Sequence, residues 1–456
     1  MASAAPADTD LPALAADWPD RRQAWTFVAL LFLAGICSVI DRGALNVMVD
    51  PVRHDLGIGD QQIGLLQGLA FGLFYAFMGV PMGLAADRVS RRRLVAGGIA
   101  LWSLATIGSG LAQSFGELFA ARLLVGLGEA ALSPAAISLI ADLFPPDRRG
   151  RPISLFMMGQ GLANGLAISL TGLILTAAAG GAFDHLPLVG GLAPWRLAFV
   201  WFGASGLVIA GAILLLAREP ARLGVAARVQ SRPGAAEAAF VWRNRAVLVP
   251  LYLGFAVCFA AAYGAAAWMP AMLMREFHQT PAFLGAWLGP LSMLFSAVGP
   301  LLGGALIDRS MKAGRPRARF AILSLAPLCA APAMLAALAP DARLAAGLAA
   351  SANAVFAVTG TIMLASLQLL FPPRMRGSAV AITLVLNTVL GATLGPLAVA
   401  MVTERVLGDA ALVGWSIALV CLPCLALAAA LYALARRNIA RAGAESECVR
   451  LLDGIA

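Results

Sequence analysis

The sequence predicts an all-α membrane protein of twelve transmembrane helices in two six-helix halves, with both termini cytoplasmic. Three observations predict it. The chain is 60% hydrophobic and 12% charged, with mean hydropathy +0.84, whereas about a quarter of the residues of an ordinary soluble domain are charged. Its apolar runs reach the roughly 20 residues that carry a helix across a bilayer. Of its 33 Lys and Arg, 26 fall in alternate loops and five in the remaining loops, and basic loops stay inside. The same placement accounts for the net charge of +9 without a nucleic-acid partner.

Residues 1–24 are a polar, acidic cytoplasmic tail without the basic, apolar and small-residue succession of a signal peptide, so the first helix is expected to be retained. The N-terminal bundle, 25–217, holds expected helices at 25–49, 62–86, 94–113, 117–142, 151–178 and 196–217. A cytoplasmic linker, 218–245, carries Pro220, Pro233 and Gly234 and no apolar periodicity. The C-terminal bundle, 246–435, holds helices at 246–274, 282–307, 319–339, 343–371, 377–403 and 411–435, and 436–456 form a second cytoplasmic tail. Two internal echoes support the division into halves. Leu143-Phe144-Pro145-Pro146-Asp147-Arg148-Arg149-Gly150 recurs as Leu370-Phe371-Pro372-Pro373-Arg374-Met375-Arg376-Gly377, and Gly83-x-x-x-Asp87-Arg88 recurs as Gly304-x-x-x-Asp308-Arg309. A duplicated unit is the build of many secondary transporters.

Charge inside the apolar runs is the main chemical signal. Asp41 and Arg42 lie within the first helix, and each intramembrane charge costs roughly 2.5–3.5 kcal/mol on insertion scales. Such a pair is either a structural lock between helices or a proton or substrate site. The fourth helix carries Arg122 and Glu129, seven residues apart on one face. At 1.5 Å per residue Asp41 lies roughly 13 Å below the outer surface, between Arg122 at roughly 7 Å and Glu129 at roughly 18 Å. Apart from Arg343 at the very edge of helix 10, helices 7, 8, 10 and 11 hold no charge within these bounds, and Tyr263, Trp268, Asn353, Thr359 and Asn387 are their candidate cavity residues. The Gly126-x-Gly128-x-x-Ala131 spacing lacks the strand that a dinucleotide site requires. Five of six cysteines lie in predicted helices and the three histidines in external loops. Neither a disulfide framework, nor a metal site, nor enzymatic activity is expected.

Gly83, Asp87 and Arg88, followed by Arg91, Arg92 and Arg93 after the second helix, resemble the signature loop of the major facilitator superfamily. Ile40-Asp41-Arg42, the run from Arg122 to Glu129-Ala130, and Leu139 to Phe144 leading into Asp147-Arg148-Arg149 resemble its spinster-like branch. The resemblance implies that helices 1 and 4 both line a central cavity, bringing Asp41, Arg42, Arg122 and Glu129 into one cluster of zero net formal charge. It implies a proton-coupled secondary transporter of lysophospholipid- or sphingolipid-like amphiphiles; within it Asp41, and secondarily Glu129, is expected to exchange protons, with Arg42 and Arg122 neutralising them or engaging an anionic head group. Gly83, Asp87, Arg88, Arg91, Asp147, Arg148, Asp308 and Arg309 would form the cytoplasmic gate. The expected partners are the amphiphile, protons and membrane lipids; the proton gradient replaces any cofactor, and a monomer of the cell inner membrane is expected. Small organic anions taken up with protons, or drugs exchanged for protons, are the alternative cargoes.

Overall fold

The computed structural model describes residues 18–145, 148–187, 190–222, 235–442 and 446–452. Eleven helices among these are long and apolar enough to cross a membrane, and a shorter apolar one supplies a twelfth crossing. They are labelled α1 (Arg21–Val47), α2 (Asp60–Gln67 continuing as Leu69–Arg88), α3 (Arg91–Leu111), α4 (Phe115–Glu129 continuing as Leu132–Leu143), α5 (Gly150–Ala179), α6 (Pro194–Leu216), α7 (Arg245–Arg275), α8 (Pro281–Lys312), α9 (Ala318–Met334), α10 (Ala342–Leu370), α11 (Arg376–Leu407) and α12 (Ala410–Ala442).

Breaks in these helices follow the local sequence. Proline lacks an N–H and its ring crowds the carbonyl four residues back. Pro134 therefore interrupts α4 at Ala130 and Ala131, leaving Glu129 as the last residue of the first segment. Pro327 and Pro332 divide α9 into short α and 3-10 pieces. α11 contains two π-helical stretches, Asn387–Ala392 and Val402–Leu407.

Two of the connections carry helix. In the linker, Ala235–Arg243 is helical, with the buried Phe240 ring centred 5.1 Å from that of Phe371. The C-terminal tail continues α12 to Ala442 and adds the helix Glu447–Leu452, whose Cys448, Val449 and Leu452 are buried. Alternation of apolar and polar residues over so short a stretch is too weak to announce either helix.

Packing between the halves changes along the bundle. At the end remote from the chain termini they meet closely along two seams. On α2, a Cβ at Gly64 would lie 2.9 Å from Ala400 Cβ, and one at Gly68 would lie 2.5 Å from the Thr393 carbonyl oxygen of α11. On α5, a Cβ at Gly172 would meet the Pro281 carbonyl oxygen of α8 at 2.4 Å. Only a residue without a side chain permits these approaches. The same face of α2 continues to Gly79 and Gly83, where an added Cβ meets nothing within 4 Å; the same holds at Gly161 of α5. The halves thus diverge toward the end that carries the termini, and Gly83 makes no close helix approach in this conformation.

Candidate functional site

The four intramembrane charges come together, and their pairing is specific. Spacing of four places Ser38 one turn before Arg42 on α1. The Arg42 side chain folds back over it, Nε toward the Ser38 carbonyl and Nη2 toward Ser38 Oγ, both at 3.4 Å. Glu129 Oε2 accepts from Ser38 Oγ at 2.6 Å and lies 3.2 Å from Arg42 Nε. The guanidinium also rests over the rings of Phe71 and Tyr75 at 5.0 and 5.9 Å, an arrangement worth up to about 2 kcal/mol when desolvated. Glu129 is 1% exposed along its side chain, whereas Arg42 is 32% exposed. Arg42 is therefore the member of the pair that faces the space between the halves.

Asp41 and Arg122 are arranged differently. Asp41 is buried, and its Oδ2 accepts from Thr106 Oγ1 of α3 at 3.1 Å. Buried Arg122 donates from Nη1 to the main-chain carbonyl of Asp41 at 3.1 Å, with its guanidinium 5.9 Å from the centre of the Phe199 ring. The Asp41 carboxyl makes no ion pair among the described residues. The four-charge cluster therefore holds one ion pair, Arg42–Glu129, and two separately held groups. Ser38, Phe71, Tyr75 and Thr106 were not among the sequence candidates. Ser38 was findable from its spacing to Arg42, but Thr106 required the packing of α3 on α1.

In the C-terminal half, Tyr263 of α7 is 39% exposed and accepts from Asn387 Nδ2 at 3.4 Å. Tyr263 and Tyr75 both lie within electrostatic reach of Arg42. Asn387 begins the π-helical turn of α11, an irregularity frequent at functional sites. Asn353 is partly exposed. Two candidates are corrected. Trp268 is fully buried and donates from Nε1 to the Pro396 carbonyl at 2.9 Å, and Thr359 is fully buried and donates to the Val355 carbonyl of its own helix at 2.9 Å. Their polar atoms are used up inside the bundle.

At the end carrying the termini, Arg91 is buried and pairs with Asp142 and Glu219, with its Nε 3.1 Å from Glu219 Oε1. Glu219 also accepts from Ser90 Oγ at 2.8 Å and from the Arg92 N–H at 2.7 Å, so it caps the start of α3. Burial works to raise the Glu219 carboxyl, but these donors outweigh it and hold the group below its ordinary range. This knot joins the N-terminal half to the start of the linker and does not reach the C-terminal half. Arg88, Asp308 and Arg309 are exposed, and Asp308 and Arg309 form no ion pair among the described residues. Arg148 is engaged with other residues. Asp147 and the side chain of Asp87 lie outside what is described.

The opposite end carries a cluster that sequence reading placed only in external loops. Arg275 at the end of α7 reaches across to Asp50 and Asp60 at 2.7 and 2.8 Å, and Arg53 joins Asp60 at 3.0 Å. Glu404 accepts from the Gln61 N–H at 2.7 Å, and Arg405 Nε donates to Gln61 Oε1 at 3.0 Å. These contacts tie the halves together where the glycine seams are tight.

Known proteins agree with this architecture. The family model described as Major Facilitator Superfamily matches residues 31–396. An MFS-type efflux pump of Mycolicibacterium smegmatis is 29% identical over 87% of this chain and 89% of its own length. Protein spinster homolog 1 of Homo sapiens is 28% identical over 83% of this chain and 72% of its own length. The crystal structure of a bacterial homolog to the human lysosomal transporter Spinster, in an inward-facing and occupied conformation, superposes with a TM-score of 0.77 at 26% identity, covering 92% of this chain and 98% of that one. The chain, a multi-pass membrane protein with charges paired across its first and fourth spans, belongs to the major facilitator superfamily as a spinster-like transporter.

Proposed function

We propose that this protein is a proton-coupled secondary transporter of the cytoplasmic membrane that moves an amphiphile with an anionic head by alternating access. One observation carries the reading: Arg42 is open to the space between the halves yet is already paired with a buried acid. An anionic head arriving from that space competes with Glu129 for the guanidinium. An uncompensated buried carboxylate is costly, by about 3–5 kcal/mol where one partner of a buried pair is removed. A proton relieves that cost, so head-group binding and proton uptake at Glu129 are linked. Asp41, buried and held by one hydroxyl, is the second proton carrier. Its main-chain contact with Arg122 joins α1 to α4, so a change at Asp41 is transmitted to the helix that bears Glu129.

The positive-inside distribution supports a cytoplasmic open end, with the Arg275 cluster as the outer closure. The apolar spans of the C-terminal half suit a tail. Tyr263 and Asn387 offer polar contacts opposite Arg42. Similarity to an efflux pump favours a second reading, in which the cargo is a drug-like amphiphile exported in exchange for protons.

Binding measurements on the purified protein separate these readings. Lysophosphatidate is expected to bind the wild type and to lose at least tenfold in affinity in Arg42→Gln. Displacement by short dicarboxylates at lower concentration than lysophosphatidate would overturn the amphiphile assignment. Binding of lipophilic cations with no effect of Arg42→Gln would favour the second reading.

A further inference from the structure

We propose that Ser38 is a positioning residue that sets the pH at which Glu129 exchanges Arg42 for a proton. The inference rests on the proposed role of the Arg42–Glu129 pair and deepens it. Ser38 is 5% exposed and sits at the junction of that pair. Its hydroxyl donates to Glu129 Oε2 at 2.6 Å, the oxygen that also faces Arg42 Nε. The same hydroxyl accepts from Arg42 Nη2, and the Ser38 carbonyl receives Arg42 Nε.

The two donors to Glu129 differ in mobility. Arg42 reaches the carboxylate through a long, partly exposed side chain, and an anion can draw it away. Ser38 has a single rotatable bond on a buried turn of α1, so its hydroxyl stays when the guanidinium leaves. A hydrogen bond to a charged group favours the charged form. With Ser38 in place, Glu129 remains an acceptor awaiting the return of Arg42, and a proton displaces the pair only at lower pH. Without it, Arg42 is the sole donor from α1, and protonation sets in earlier.

The charged and titratable groups around Glu129 are Asp41 and Arg42 on α1 and Arg122 on its own helix. Tyr75 of α2 and Tyr263 of α7 face the guanidinium. α3 contributes Thr106, which donates to Asp41, and its charged side chains are confined to Arg91, Arg92 and Arg93 at its start. Apart from Arg42, none of these donates to the Glu129 carboxylate among the described residues.

The test follows thermal stability of the purified full-length protein in detergent between pH 4 and 9, with no substrate added. Subtracting the Glu129→Gln profile isolates the part that depends on Glu129. In Ser38→Ala the midpoint of that part is expected to move upward by about one pH unit, and in Ser38→Thr, which keeps the hydroxyl, to stay at the wild-type value. In the Glu129→Gln background, Ser38→Ala is expected to leave the profile unchanged. Ser38→Cys, nearly isosteric but a weak donor, gives the same comparison if the alanine variant does not accumulate. No shift in Ser38→Ala, an equal shift in the Glu129→Gln background, or identical profiles for wild type and Glu129→Gln would each overturn the proposal. Failure of lysophosphatidate to bind would overturn the cargo assignment and leave this result standing.

Discussion

Among individual residues, the distinction between a charged group that is paired and one that is merely enclosed decides the chemistry. Arg42 and Glu129 offset each other's desolvation, whereas the Asp41 carboxyl has one side-chain hydrogen-bond donor among the described residues, Thr106. Replacing Thr106 by Val removes that hydrogen bond at nearly constant volume and is expected to cost about 1–3 kcal/mol. Chemical denaturation measured above and below the Asp41 titration checks it, and an unchanged stability at both pH values would contradict the assignment. Trp268→Phe should cost about 1 kcal/mol through loss of the bond to Pro396, with lysophosphatidate affinity unaltered because the indole does not reach the cavity. The four charges were legible in the sequence because charge in an apolar run has few structural explanations. The status of Trp268 and Thr359 was not, because a polar side chain in a spanning helix satisfies itself on a neighbouring carbonyl as readily as it lines a cavity.

Among elements, eleven of the twelve spans were legible as long uniform apolar runs, and α9 was legible despite two prolines because its flanking basic loop marks its start. The helices of the linker and tail escaped because their burial depends on Phe371 and on the ends of α7 and α10, contacts that no local pattern encodes. The glycine seams yield a comparison. Gly172→Ala drives a methyl against the Pro281 carbonyl and is expected to lower stability by about 1–3 kcal/mol. Gly79→Ala, whose methyl meets open space, should be neutral or gain up to about 1 kcal/mol in helix propensity. Thermal unfolding of the two variants checks both signs. The cap of α3 by Glu219 adds a pH dependence. Its carboxyl is held below the ordinary value of 4.5, so its contribution to stability is complete above that pH and is lost as the pH falls through the lower folded-state value. Glu219→Gln should flatten the stability profile below pH 4.5, where the wild type declines.

For the whole molecule, one end is closed by ion pairs and glycine seams while the other diverges, the asymmetry that alternating access requires of a single state. Arg275 bridges Asp50 and Asp60 across the halves, and Arg275→Gln is expected to shift the population toward a form open at that end. Spin-label distances across the ends of α1 and α7 remote from the termini should lengthen in that variant, and an unchanged distribution would remove Arg275 from the closure. The central claim is that a proton at Asp41 and Glu129 is tied to an anion at Arg42. Its most direct test is uptake of lysophosphatidate into proteoliposomes under an imposed pH gradient. Wild-type protein is expected to accumulate it above equilibrium, and Asp41→Asn to carry it only down its concentration gradient. Accumulation by Asp41→Asn equal to that of the wild type would contradict the account.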